Sequence, residues 1–141
     1  IRKLFINMNR TSLERALQRL SAEAGYAFHT ASEEYMARQI ASLPAAWLAP
    51  LKLIEIDGRK HGRAVYALTL HLLESGGPLP PARRQELWAA MERRALAIFS
   101  ALSDEREVIA VENLTLQPRT FAFTNHGEIS LSAEARIVTW F

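Results

Sequence analysis

Two neighbouring stretches in the middle of the chain follow a period of two: hydrophobic and polar residues nearly alternate over residues 51–56, and the apolar positions alternate strictly within residues 63–73. A period of two places successive side chains on opposite faces of a strand, so each stretch predicts a β-strand with one face toward a core. Asp57, Gly58 and Gly62 lie between the stretches and favour a turn. We therefore predict a β-hairpin whose tip, residues 59–63, concentrates positive charge.

Two other stretches carry helical spacing. From Leu13 to Ala24 the apolar residues recur at helical intervals, with Thr11 as a candidate N-cap, Glu14 three positions later and Gly25 as the end. The second helix is predicted over residues 81–102, after a Gly- and Pro-rich break that ends in two prolines. Its apolar stripe consists of Leu87, Trp88, Met91, Ala95, Ile98, Phe99 and Leu102.

The C-terminal part returns to strand periodicity over residues 108–116 and 128–141. The apolar register shifts between Val111 and Leu114, which predicts a β-bulge. In the last strand, alternation predicts one face toward the core and one toward solvent. The core-facing set is Ile129, Leu131, Ala133, Ala135 and Ile137, and the outward set is Ser130, Ser132, Glu134 and Arg136.

The N-terminal third is less regular. Residues 4–8 are either a short entry strand or an apolar tail, residues 26–28 a short strand, and residues 32–40 one or two helical turns. Prolines bracket residues 45–49 as an extended or irregular segment, which Trp47 is expected to anchor to the core. The whole pattern predicts one α+β domain over residues 1–141, an antiparallel or mixed β-sheet with two main helices packed on one face.

Composition limits the function classes. The chain has 141 residues, 49% of them hydrophobic, which is enough for one domain with a core of its own. The absence of cysteine excludes disulfides and thiolate metal sites, and a formal charge of +2 does not by itself indicate nucleic-acid binding. No apolar run approaches the roughly 18 to 20 residues that cross a bilayer. Whether a targeting segment precedes Ile1 stays open.

Candidate chemistry is sparse. The four histidines, His29, His61, His71 and His126, show no metal-ligand spacing, and no phosphate-binding loop or nucleophile motif occurs. Acidic pairs such as those at residues 33–34 and 104–105 fall in polar stretches. We therefore predict no catalytic, cofactor-binding or metal-binding residues, no cofactor, and a protein that is not an enzyme.

Two segments have a stronger claim to function as contact surfaces. Arg59, Lys60 and Arg63 at the hairpin tip are suited to phosphates or to an acidic partner, although a solvated turn is the commoner explanation. Residues 117–127 form a predicted long connection that contains Arg119, Phe121 and Phe123. Its phenylalanines are explained equally well by packing on their own domain or by packing on a neighbouring subunit.

The sequence resembles the tail terminator and related minor tail or neck proteins of tailed bacteriophages. The resemblance lies in residues 43–55 and 66–72, the helix at 81–102 and the strands at 108–116 and 129–140. In that family a sheet with two helices builds a ring, usually of six subunits, which caps the tail tube and joins it to the head. The resemblance implies a structural virion protein assembled in the host cytoplasm. The implied partners are further copies of itself, the major tail tube protein and a head–tail connector protein. The resemblance implies no contact with a membrane, and it allows contact with DNA only through the ring lumen.

Three rival functions stay open at this stage. Residues 13–28 are similar to the opening of secretin N-terminal domains, and the closing strand to ferredoxin-like pilus-assembly proteins, which implies a periplasmic interaction module. A basic nucleic-acid-binding domain would use residues 59–63, and an enzyme ranks last. The genes that surround this one would separate the envelope interpretation from the phage one.

Overall fold

The computed structural model describes residues 10–58, 62–76, 78–120 and 122–140. The predicted entry segment, Arg59, Lys60, His61, Phe121 and Phe141 lie outside those ranges. In chain order the elements are α1 (Arg10–Glu23), β1 (Ala27–Thr30), a 3₁₀ turn (Glu33–Tyr35), α2 (Met36–Gln39), β2 (Ala45–Leu48), β3 (Lys52–Asp57), β4 (Arg63–Ser75), α3 (Pro81–Ser103), β5 (Val108–Arg119) and β6 (Glu128–Trp140).

A glycine marks the end of α1, and a proline marks the start of α3. Gly25 follows α1 with a φ of 96°, a left-handed conformation that glycine adopts without a steric penalty. Pro81 is the first residue of α3, where its missing N–H costs no helical hydrogen bond. Thr11 was expected to cap α1, but the helix already includes Arg10, so Thr11 lies inside the first turn. Within the described ranges, no helix is both long and apolar enough to cross a membrane.

The strands form one mixed sheet in the order β1-β2-β4-β6-β5, with β3 paired to the first half of β4. The β1–β2 pair is parallel and every other pair is antiparallel. The predicted hairpin is confirmed as β3 and β4. The predicted bulge is confirmed too, since the pairing of β5 with β6 shifts between Glu112 and Thr115, and Asn113 has a φ of 55°.

The main core lies between the sheet and the two long helices, which pack on the same face. The predicted stripe of α3 is buried except for Leu87, which is partly buried, and Trp88, Met91, Ile98 and Phe99 are each at most 8% exposed. The predicted inward set of β6, Ile129 to Ile137 at alternate positions, belongs to the same cluster. The α+β fold class with two helices on one face is therefore confirmed.

A second, smaller core covers part of the opposite face. It is formed by Met36, Ile40, Ala45, Trp47 and Leu73, with Phe123 packed against it. Trp47 is fully buried and donates its indole N–H to the Ala31 carbonyl at 3.0 Å, as its predicted anchoring role requires. Two of the four β6 residues predicted to face solvent, Ser130 and Ser132, are each only 1% exposed. That prediction was wrong because the second core covers this part of the face.

Two further expectations are corrected. Residues 117–119 belong to β5 and not to the following connection. Every residue of β3 is exposed, although the alternation predicted one core-facing side. Leu51, just before the strand, belongs to the main core, whereas no residue of β3 does. The strand therefore lies beyond the area that the helices cover.

Candidate subunit-contact site

The hairpin tip was the first predicted contact. Arg59 and Lys60 lie outside the described residues. Arg63 is exposed at the start of β4, where it lies opposite Asp57 on β3 and Trp140 on β6. Trp140 is 44% exposed, so an exposed aromatic residue and an exposed arginine occupy paired positions at this end of the sheet. Such a pairing is suited to a protein partner as well as to an anion.

The connection between β5 and β6 was the second predicted contact. In the structure, its described residues fold back onto their own subunit. The Thr124 hydroxyl donates to Glu128 at 2.6 Å, and the Thr124 N–H donates to the same carboxylate at 3.2 Å. The Nε2–H of His126 donates to the Ile40 carbonyl at 2.7 Å. These bonds fix the connection against β6 and against the segment that carries α2.

Phe123 is half-buried, and its ring centroid lies 4.9 Å from that of His71. Arg119, the last residue of β5, donates from Nε to the Ser132 hydroxyl at 3.0 Å. Both predicted contact residues thus have partners inside their own subunit. Whether they also touch a second subunit stays a prediction.

A buried polar chain lies beneath Phe123. Nδ1 of His71 lies 2.7 Å from the Ser132 hydroxyl, and Nε2 of His71 lies 2.7 Å from a Glu33 carboxylate oxygen. The carboxylate can only accept, so Nε2 carries the proton and Nδ1 accepts from the serine O–H. Arg119 in turn donates to the serine oxygen. Both ring nitrogens of His71 and the Ser132 hydroxyl therefore have hydrogen-bond partners that are consistent with a neutral imidazole.

Burial is the main influence on the charge of His71. It lowers the pKa of His71 below its ordinary value, because the cationic form loses hydration, and the neighbouring Glu33 only partly opposes this effect. The Glu33 side chain is 51% exposed, so water weakens its attraction for a cation. The His71 side chain itself is 2% exposed. We therefore treat His71 as neutral at pH 7.

Serine, histidine and glutamate in this order invite comparison with a hydrolase triad. In such triads the serine bonds Nε2 and the carboxylate bonds Nδ1, whereas here the two nitrogens exchange roles. A nucleophile must also reach its substrate, and Ser132 is 1% exposed beneath the second core. The arrangement therefore joins three strands to the 3₁₀ turn and does not present a nucleophile. Sequence reasoning missed it because the three residues are far apart in the chain.

The histidines do not assemble into a metal site in the described part of the chain. Nowhere in the described ranges do three His, Cys, Asp or Glu side chains come close enough to hold an ion. His29 stacks on Trp47 with centroids 5.8 Å apart, and His71 and His126 take part in the hydrogen bonds above.

The largest departure from the sequence analysis is an exposed apolar strand. On β3, Leu53 is 45%, Ile54 46% and Ile56 59% exposed. At the same end of the sheet Ile109 on β5 is 36% exposed. A monomeric soluble protein seldom leaves several large aliphatic side chains exposed within six residues, and such patches commonly mark contact surfaces. The structure therefore adds β3 to the candidate contact surfaces.

No family model and no curated protein matches this chain. Among solved structures, it resembles a chain of the native gene transfer agent (GTA) virion, with a TM-score of 0.50 and 12% sequence identity. The match covers 94% of this chain and 94% of that chain. At this identity the likeness concerns the fold. The protein therefore shares its fold, over 94% of its length, with a chain of a virion particle.

Proposed function

We propose that this protein is a structural component of a phage-like particle. The observation that carries the proposal is the fold likeness to a chain of a gene transfer agent virion, which covers 94% of both chains. The burial of Ser132 agrees with a structural role, since the serine of the Ser132–His71–Glu33 arrangement is 1% exposed and does not meet solvent as a nucleophile must.

Within that class, we propose the role of a tail terminator or neck protein, a ring subunit that caps the tail tube and joins it to the head. The order of helices and strands supports this role, because it resembles the order of elements in that family along most of the sequence. The exposed apolar strand β3 supports it as well, because a ring subunit must keep a hydrophobic surface for its neighbours. The proposed partners are further copies of the chain, the tail tube protein and a connector protein.

Assembly is the property that tests this function. We expect the purified chain to form closed rings at high concentration or when mixed with tail tubes, and to be seen at the tube end by negative-stain electron microscopy. Native mass spectrometry then gives the number of subunits, for which we propose six. A chain that remains monomeric at high concentration and does not bind tail tubes would refute the proposed function.

A further inference from the structure

The end of the sheet near the β3–β4 turn has four strands in the order β3-β4-β6-β5. Glu55, Val65, Val138 and Ala110 lie side by side across it. Among the described strands, β3 pairs with β4 and β5 pairs with β6. Each of the two outer strands therefore has one edge without a partner strand in the described part of the chain, and the two edges are on opposite sides. Unpaired edges are templates for further strand pairing.

Both edges carry a bulged, exposed isoleucine. The pairing of β3 with β4 shifts between Leu53 and Glu55, which leaves Ile54 as the extra residue. The pairing of β5 with β6 shifts between Val108 and Ala110, which leaves Ile109 as the extra residue. A bulge at a sheet edge redirects the side chain that it inserts. Ile54 is 46% and Ile109 36% exposed, so each isoleucine keeps part of its side chain accessible to a neighbour.

The other edge segments are less suited to pairing. The second half of β5 contains Asn113 with a φ of 55° and Pro118, which has no N–H to donate. At the far side of the sheet, β1 has only four residues. The segments that remain are β3, six residues long, and residues 108–112 of β5. Their lengths are nearly equal.

Strand direction and charge make these two edges complementary. The four strands alternate in direction, so β3 and β5 run in opposite directions within one subunit. When a second copy continues the sheet in the same orientation, its β3 runs antiparallel to β5 of the first copy. One row of paired residues crosses the four strands from edge to edge and consists of Lys52, Ala67, Arg136 and Glu112. A neighbour in this orientation therefore brings its Lys52 toward Glu112 of the first copy.

We propose that β3 of one copy pairs antiparallel with residues 108–112 of β5 in the next copy, so that one sheet continues from subunit to subunit. The contact is heterologous, because it joins two different edges, and repeated contacts of this kind form a closed ring when the rotation from one subunit to the next closes. This inference rests on the proposed function for the existence of a ring. It adds the identity of the two surfaces that meet.

Disulfide crosslinking tests the contact directly, since the chain contains no cysteine. The double variant Ile54→Cys/Ile109→Cys places one thiol on each edge. Within one subunit the two positions are three strand spacings apart, roughly 14 Å, which exceeds the limit of about 7 Å between Cα atoms for a disulfide. Every disulfide between them must therefore join two copies. Mild oxidation of assembled rings should give a ladder of covalent oligomers that ends at the ring size.

A matched control uses Leu79, which is 39% exposed in the segment between β4 and α3, at the other end of the sheet. The pair Ile54→Cys/Leu79→Cys should give no ladder under the same oxidation. Rings that form without a ladder from the Ile54/Ile109 pair would overturn the contact and leave the proposed function standing. A chain that forms no rings, concentrated or on tail tubes, would overturn both. Covalent dimers from Ile54→Cys alone would indicate β3 paired with β3, which also overturns the contact.

A second variant series separates assembly from folding. Ile54→Lys/Ile56→Lys changes side chains that are already exposed, so the monomer should unfold at the parent's urea midpoint. Two lysines on the proposed edge should nevertheless abolish the rings, because strand edges are blocked effectively by charge. Leu79→Lys, the control with a single lysine, should keep the rings. Intact rings in the Ile54→Lys/Ile56→Lys variant would contradict the proposed contact.

Discussion

Replacement of Phe99 by alanine tests the packing of α3 on the sheet. Phe99 is 2% exposed and lies on the helical face that also carries Met91, Ala95 and Leu102, each of which is fully buried. Truncation removes a whole ring from a closed two-layer core, where neighbouring side chains relax only partly into the space. For buried phenylalanines such a change costs about 3 to 5 kcal/mol. That is a large part of the roughly 5 to 15 kcal/mol that stabilises a domain of ordinary size.

Urea unfolding followed by far-ultraviolet circular dichroism gives the measurement. With a slope of about 2 kcal/mol per molar urea, the variant's midpoint should fall by about 1.5 to 2.5 M and its slope should stay unchanged. Leu96→Ala is the matched control. Leu96 lies three residues earlier on the same helix and is 52% exposed, so its truncation should change the stability by no more than about 0.5 kcal/mol.

The comparison of the two variants decides the matter. Equal midpoints for Phe99→Ala and the parent would show that this face of α3 is not packed on the sheet. A Leu96→Ala midpoint that falls as far as that of Phe99→Ala would show that the buried face of the helix is assigned wrongly. Either result would refute the helix orientation from which the main core is derived.

Three further predictions concern the polar chain, the connection and ligands. Burial lowers the pKa of His71, so the fold is stabilised by the neutral form of this histidine. The contribution is complete above about pH 6.5 and is lost as the pH falls below that value. When the pH is lowered from 7.5 to 5.5, the urea midpoint should therefore fall more for the parent than for His71→Gln. Replacing Phe121 and Phe123 by serine should leave a folded chain that no longer assembles with tail tubes, as measured by circular dichroism and co-sedimentation. Unchanged assembly would mean that the two phenylalanines pack only within their own subunit. Zinc, magnesium or a nucleotide should leave the melting temperature unchanged in a thermal unfolding assay, because only a ligand that binds the native state raises it, and a reproducible increase would contradict the purely structural function.

The longest elements could be predicted from sequence because their signals are local. The alternation runs from Ala64 to Leu72 in β4 and from Ile129 to Ile137 in β6, and in α3 a continuous stripe follows a double proline. Each element therefore has a strong periodic signal of its own. The bulge in β5 also has a local cause, the shift of apolar register near Asn113. These elements alone define the α+β class, since two hairpins around one helix must bury their apolar faces together.

Exposure was decided by tertiary structure. The alternation of β3 predicts a core face, yet the strand lies beyond the helices, and nothing in its own six residues records how far a helix elsewhere extends. Ser130 and Ser132 have the polar character of a solvent face, yet they are buried because a segment about ninety residues earlier folds across them. The bonds of His71 to Glu33 and Ser132 arise in the same way. Periodicity determines which residues share a face, whereas contacts between distant segments determine whether that face meets water.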